Sequence, residues 1–190
     1  MKRTLTAVVT LLCLVSGNSF AGKEEDALRA LAATKIKAWA NNAAVIAAVK
    51  KQNEKNASLS EADILVLDKQ WRAETKSANK PLISGILSNE LSGYLKGVQG
   101  KSGDLYTEIF VMDAKGLNVG QSDVTSDYWQ GDEDKWSQTF KIGPDAVHIG
   151  EIKTDESTQR LQAQVSITIV DPASHAPIGA VTVGVNVDQL

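Results

Sequence analysis

Tyr128, Trp129 and Trp136 share one polar stretch with Asp123, Asp127, Asp132, Glu133 and Asp134. Aromatic rings give apolar walls with polar tips, which suits a small-ligand pocket. The same rings can instead clamp a loop onto the surface beneath it. The carboxylates have three readings: a solvated face, an attractor for a cationic ligand such as an amine, or oxygens for Ca2+, which takes about six to eight. Their spacing does not match an EF-hand loop. Arg72 follows Trp71. Its guanidinium can fork onto a ligand carboxylate, or pair with Asp68 or Glu74. Ser122 and Asn186 offer hydrogen bonds from strand-like runs, and Asp155 sits in a turn where it can serve either role.

Other chemistries lack their residues. His148 and His175 are the only histidines and show no zinc-ligand spacing. There is no G-x-S-x-G elbow, no Walker A loop and no dinucleotide glycine motif. The loop carboxylates have neither a paired partner nor a nucleophile. The expectation is a non-enzymatic protein without a metal or cofactor. A formal charge of −3 argues against nucleic acid, which needs a basic face. The sequon Asn56-Ala-Ser58 is taken as chance.

The N-terminus reads as a secretory signal peptide over residues 1–21. Lys2 and Arg3 precede the apolar run Leu5–Val15, and Ser19-Phe20-Ala21 places small residues around a cut after Ala21. The run is too short to anchor in a membrane. Leu12 stands before Cys13 where a lipoprotein signal has a small residue. The cut removes Cys13, the only cysteine, so the remaining chain has no disulfide, thiolate or Cys–metal site. Gly22–Leu190 is then one domain that must stand on its hydrophobic core, exported to a periplasm or secreted.

The elements that must position these residues fall in two halves. Lys23 to about Gln52 reads as one long helix, with Leu28, Ala32, Ile36, Trp39, Ala43 and Ile46 at spacings of three and four. Ser60-x-x-Asp63 resembles a capping box opening a second helix striped by Ile64, Leu67 and Trp71. After Asn79-Lys80-Pro81 comes a third helical region, Leu82 to about Val98. From Tyr106 the pattern alternates: strands over 106–112, 117–121, 147–153, 160–170 and 178–187. Val181, Val183, Val185 and Val187 point one way, and Thr182, Gly184 and Asn186 the other. The fold class is therefore α+β, with the long N-terminal helix and further helices packed on one face of a roughly five-stranded antiparallel sheet. The opposite face is small and polar, and the segment 122–141 can roof it. That segment, at about 20 residues, is longer than most connections.

Glu108–Ser122, Ser126–Trp136 and Ile178–Val187, following a long N-terminal helix, resemble the single Cache domain, a PAS-like extracellular sensor. The resemblance covers nearly all of Gly22–Leu190. It implies a PAS-like sheet, a small metabolite held between the sheet and its roofing loops, and signalling through receptors, kinases or cyclases. The sequence stops at Leu190, where that family continues into a transmembrane helix and an output domain. The expectation is thus a free-standing Cache domain that relays ligand binding to a membrane-bound partner. A rival is an interaction protein without a working pocket. Ala43, Ala44, Ala47 and Ala48 would let its long helix approach a second copy or a membrane sensor closely.

Overall fold

A computed structural model describes residues 18–154 and 161–190. Most of the expected leader, Cys13 and the site candidate Asp155 lie outside the described residues.

The expected single N-terminal helix is two. α1 (Asn18–Leu31) runs through a π-helical turn (Ala32–Ile36) into α2 (Lys37–Ala40). Leu28, Ala32, Ile36 and Ala40, each four residues apart, are all buried. A spacing of four drifts around an α-helix of 3.6 residues per turn. The wider π turn takes up that drift and holds the row against the core. The helix then breaks at Asn41–Asn42. Asn42 is extended (φ −62°, ψ 140°) and its side chain accepts the Ala44 N–H at 2.9 Å. No glycine or proline is needed, because an asparagine that caps competes with helix continuation. α3 (Ala43–Asn56) follows and ends four residues beyond the expected boundary at about Gln52.

α4 (Glu61–Glu74) opens with both halves of the capping box in place: the Ser60 hydroxyl accepts the Asp63 N–H, and the Asp63 carboxylate accepts the Ser60 N–H at 2.9 Å. The Ser60 hydroxyl, which also donates to Asp63 Oδ2 at 2.6 Å, and then the Ser60 N–H lower the Asp63 pKa from its ordinary value. The third helical region is also two pieces, α5 (Pro81–Leu87) and α6 (Glu90–Gly100). Asn89 starts α6 by accepting the Ser92 N–H at 2.8 Å. Asparagine again ends a run that apolar spacing alone would extend.

The antiparallel sheet holds β1 (Tyr106–Asp113), β2 (Asn118–Gln121), β3 (Val147–Ile149), β4 (Lys153–Thr154), β5 (Leu161–Val170) and β6 (Pro177–Asn186). Its order is β2-β1-β6-β5-β3, with β4 also pairing β5. One expected strand, 147–153, is divided between β3 and β4, which raises the count to six. The central pairing aligns Val165 with Val183 and Ile167 with Val181. Their face meets Leu28, Ile36, Val45, Val49, Leu91 and Leu95 in the main core. The α+β reading and the assignment of the helix-covered face both hold.

The edge strand β2 is closed from outside. Asn89 Nδ2 donates to the Val119 carbonyl at 2.8 Å, and the Gln121 N–H donates to Ser92 Oγ at 2.9 Å. Among the described residues, no helix is long and apolar enough to cross a membrane.

Candidate functional site

The far face of the sheet carries Phe110, Met112 and Ala180, and the segment 122–141 packs onto it. The short helix α7 (Asp134–Ser137) brings Trp136 over these residues, with Phe140 stacked on it at 5.0 Å between ring centroids. Trp136 Nε1 donates to the Asp113 carbonyl at 3.1 Å. Deeper in the sheet, the Ser166 and Thr182 hydroxyls pair at 2.9 Å and are fully buried. This roof therefore lies where the sequence places it.

Its first part is a strap that continues the β1–β2 hairpin. The Asn118 N–H donates to the Tyr128 carbonyl at 3.0 Å, and the Gln130 N–H to the Gly116 carbonyl at 2.8 Å. Trp129 Nε1 donates to the Lys115 carbonyl at 2.8 Å. The close approach requires glycine at the turn: Gly116 has φ +82°, and a Cβ there would meet the Gly131 backbone at 2.6 Å.

The strap's other side is gripped by α4. Asp68 Oδ1 accepts the N–H groups of Tyr128 and Trp129 at 2.9 and 3.0 Å. Arg72 Nε donates to Asp68 Oδ2 at 2.6 Å, and Arg72 Nη1 stands 2.6 Å from Asp127 Oδ1. The latter is a charge contact without hydrogen-bond alignment. The neighbouring carboxylates hold the Arg72 pKa above its ordinary value, chiefly through the Asp68 bond. Trp71 Nε1 donates to the Thr125 carbonyl at 2.8 Å, and the Trp71 ring stacks on Tyr128 at 5.3 Å and 16°. Burial, aided by the Asp113 charge, pushes the Tyr128 phenol well above its usual pKa.

Behind the strap is a buried amide network. Asn118 Nδ2 donates to Gln121 Oε1 at 3.0 Å, Thr125 Oγ1 at 2.9 Å and the Asp127 carbonyl at 3.2 Å. Gln130 Nε2 donates to the same carbonyl at 3.0 Å, and Lys135 Nζ donates to Gln130 Oε1 at 3.3 Å. Lys135 also pairs with Glu133 at 2.7 Å and lies 5.5 Å from the Phe110 ring centroid. Gln121 Nε2 and Asn118 Oδ1 are buried and have no hydrogen-bond partner among the described residues. A buried donor or acceptor left unmet costs about 1–3 kcal/mol, and an ordered water is one partner that can meet it.

The structure thus brings together four of the sequence-predicted residues, Arg72, Asp127, Tyr128 and Trp129, with Trp136 in the adjoining part of the roof. Arg72 takes the Asp68 pairing; Glu74 is engaged instead by Gln70 and the Ile83 N–H. Ser122 and Asn186 lie apart from this cluster. Ser122 Oγ accepts the Ile109 N–H at 2.9 Å, and Asn186 Oδ1 accepts the Asp188 N–H at 3.2 Å, capping the last turn. His148 is in β3 and His175 in an exposed loop. Among the described residues, no three side chains of metal-binding type stand together. Sequence reading named Asp68 only as a partner of Arg72, and missed its bonds to the strap as well as Asn118, Gln121, Gln130 and Lys135. Only Asp68 left a clear signal: it occupies the apolar stripe between Ile64 and Trp71.

Among the described residues, two of the cavities that open to solvent lie away from the roof. One, about 590 Å³, lies between Ala44, Ala47 and Ala48 of α3 and the start of α6. The other, about 400 Å³, lies among Lys37, Asp145 and His175. Neither is lined by a residue of 122–141.

These features define a class: an antiparallel sheet, covered by helices on one face and by a strapped roof over unmet polar groups on the other. No family model and no curated protein matches the chain. Solved structures similar to it are sensory domains. The ligand-binding domain of a Campylobacter jejuni chemoreceptor in complex with 4-methylisoleucine is 16% identical, with TM-score 0.38, over 78% of this chain and 62% of that one. The ligand-binding domain of a Pseudomonas aeruginosa amino acid chemoreceptor in complex with GABA is 11% identical, with TM-score 0.42, over 76% and 57%. The sensor domain of a V. cholerae histidine kinase is 11% identical, with TM-score 0.35, over 88% and 58%. The chain spans less than two thirds of the length of each.

Proposed function

We propose that the protein is an exported, non-enzymatic single Cache-like sensor domain. Its leader is cut after Ala21. Gly22–Leu190 binds a small metabolite (an amino acid, an amine or an organic acid) under the roof and relays this to a membrane-bound partner. The observation that carries the reading is the unmet pair, Gln121 Nε2 and Asn118 Oδ1, sealed between roof and sheet. A ligand acceptor would satisfy Gln121 Nε2, and a ligand donor would satisfy Asn118 Oδ1. Arg72, Asp127, Tyr128, Trp129 and Trp136 would complete the site. Ser122 and Asn186 are left out because their side chains are already engaged by backbone N–H groups. Asp155 is given no role.

The roof is packed closed, so binding requires it to open and reclose. A ligand shifts that equilibrium only by its differential affinity for the two states. The test is a thermal-shift panel of amino acids, amines and organic acids on purified Gly22–Leu190. A ligand at about 100 times its Kd adds roughly 2.7 kcal/mol, or about 5–10 °C for a domain of this size. A shift that disappears in Gln121→Leu supports the reading. A flat panel overturns it.

A second reading, association through the helical face, is favoured by the groove over Ala44, Ala47 and Ala48. It predicts a concentration-dependent dimer that Ala47→Trp abolishes, seen by sedimentation.

A further inference from the structure

We infer that Asp68 is the positioning residue of the roof: its carboxylate imposes the bend at Tyr128–Trp129 that aims both rings. The inference rests on the roof being the ligand site, and its test does not need a ligand.

The backbone geometry carries it. In an extended strand, successive N–H groups point to opposite sides. Here two successive N–H groups, of Tyr128 and Trp129, converge on one oxygen, Asp68 Oδ1, at 2.9 and 3.0 Å. The strap stays bonded to the hairpin through the Tyr128 carbonyl and the Gln130 N–H. The bend is therefore local, and the anion is what both amides face. Charge-assisted bonds of this kind are roughly twice as strong as neutral ones.

The bend has a consequence for the side chains on either side of it. Tyr128 turns back onto Trp71, while Trp129 crosses to the Lys115 carbonyl. Arg72 completes the arrangement. It neutralises Asp68 and reaches Asp127 on the strap, so that α4 holds residues 125, 127, 128 and 129 together. Asp68 is 7% exposed, so its charge acts with little solvent screening. The isosteric amide would not replace it: an Asn there keeps one acceptor but turns an NH2 group toward the Arg72 guanidinium, donor against donor.

The test is amide hydrogen exchange on the purified protein, resolved to Tyr128 and Trp129, for wild type, Asp68→Asn and Arg72→Met. Asp68→Asn is expected to speed exchange of those two amides at least tenfold while the β5 amides keep their wild-type rates. Arg72→Met is expected to act on the same amides by a smaller factor, and it carries the test alone if Asp68→Asn does not fold. Unchanged strap amides overturn the inference. So does an equal acceleration in β5, because that would make Asp68 a support of the whole fold. The thermal-shift panel decides the ligand reading separately, since exchange is measured without ligand.

Discussion

Asn56 donates from its side chain to the Asp113 carboxylate at 2.8 Å, tying the last turn of α3 to the end of β1. Both residues are buried. Gln52 donates to the same Asp113 oxygen at 3.1 Å, and the N–H groups of Lys115 and Leu117 fill the other at 2.8 and 2.9 Å. One carboxylate thus closes the hairpin turn through one oxygen and docks the polar end of α3 on it through the other. Removing it should strand several donors at once. Asp113→Ala is expected to cost roughly 3 kcal/mol or more, and Asn56→Ala about 1–2 kcal/mol. Urea denaturation would show both as a lower midpoint at unchanged slope.

Gly116→Ala should be costly for two separate reasons. Its φ of +82° strains any L side chain, and the Gly131 backbone occupies the space the Cβ needs. The expected loss is about 2–4 kcal/mol. Gly97→Ala is the control, since a Cβ there meets nothing within 4 Å in a helix interior, and it should gain a few tenths to about 1 kcal/mol. Thermal melts of the two variants should move in opposite directions.

Stability at high pH should depend on Tyr128. Burial raises its folded pKa, so the folded state keeps a proton that the unfolded chain releases near pH 10. The contribution is complete below that pH and falls away as pH rises above it. Tyr128→Phe should flatten the alkaline limb of a stability–pH curve, and an unchanged limb would assign the effect elsewhere.

At the acid end the sign reverses. The Ser60 bonds lower the Asp63 pKa in the folded state, so its contribution is complete above about pH 4 and is lost as pH falls through the folded value. Asp63→Asn should reduce the loss of stability between about pH 4 and pH 2, followed by circular dichroism.

The strands were legible because β-branched alternation is a two-residue signal: Val181, Val183 and Val185 face the core as their spacing requires. The helix boundaries were less so. Asn42 and Asn89 end helical runs through single side-chain bonds to nearby N–H groups, which apolar periodicity does not register. The site was legible in part. The roof could be read from its length and its aromatic content. Alternation placed Asn186 on the polar face but could not tell that its amide turns onto its own backbone. Asp68 was visible as a possible partner of Arg72 and as a carboxylate where the helix stripe wants a hydrocarbon. Its partners, 60 and 61 residues further along, were not.

The side chains of Asn89 and Ser92 that close β2 from outside also bear on aggregation. An unprotected edge strand is a template for a strand from another molecule. Here α6 occupies the outward carbonyl of Val119 and the outward N–H of Gln121, so strand addition at that edge must first strip a helix terminus from the sheet. Intermolecular pairing is thereby directed to the opposite edge, where β3 and β4 cover β5 with only short segments.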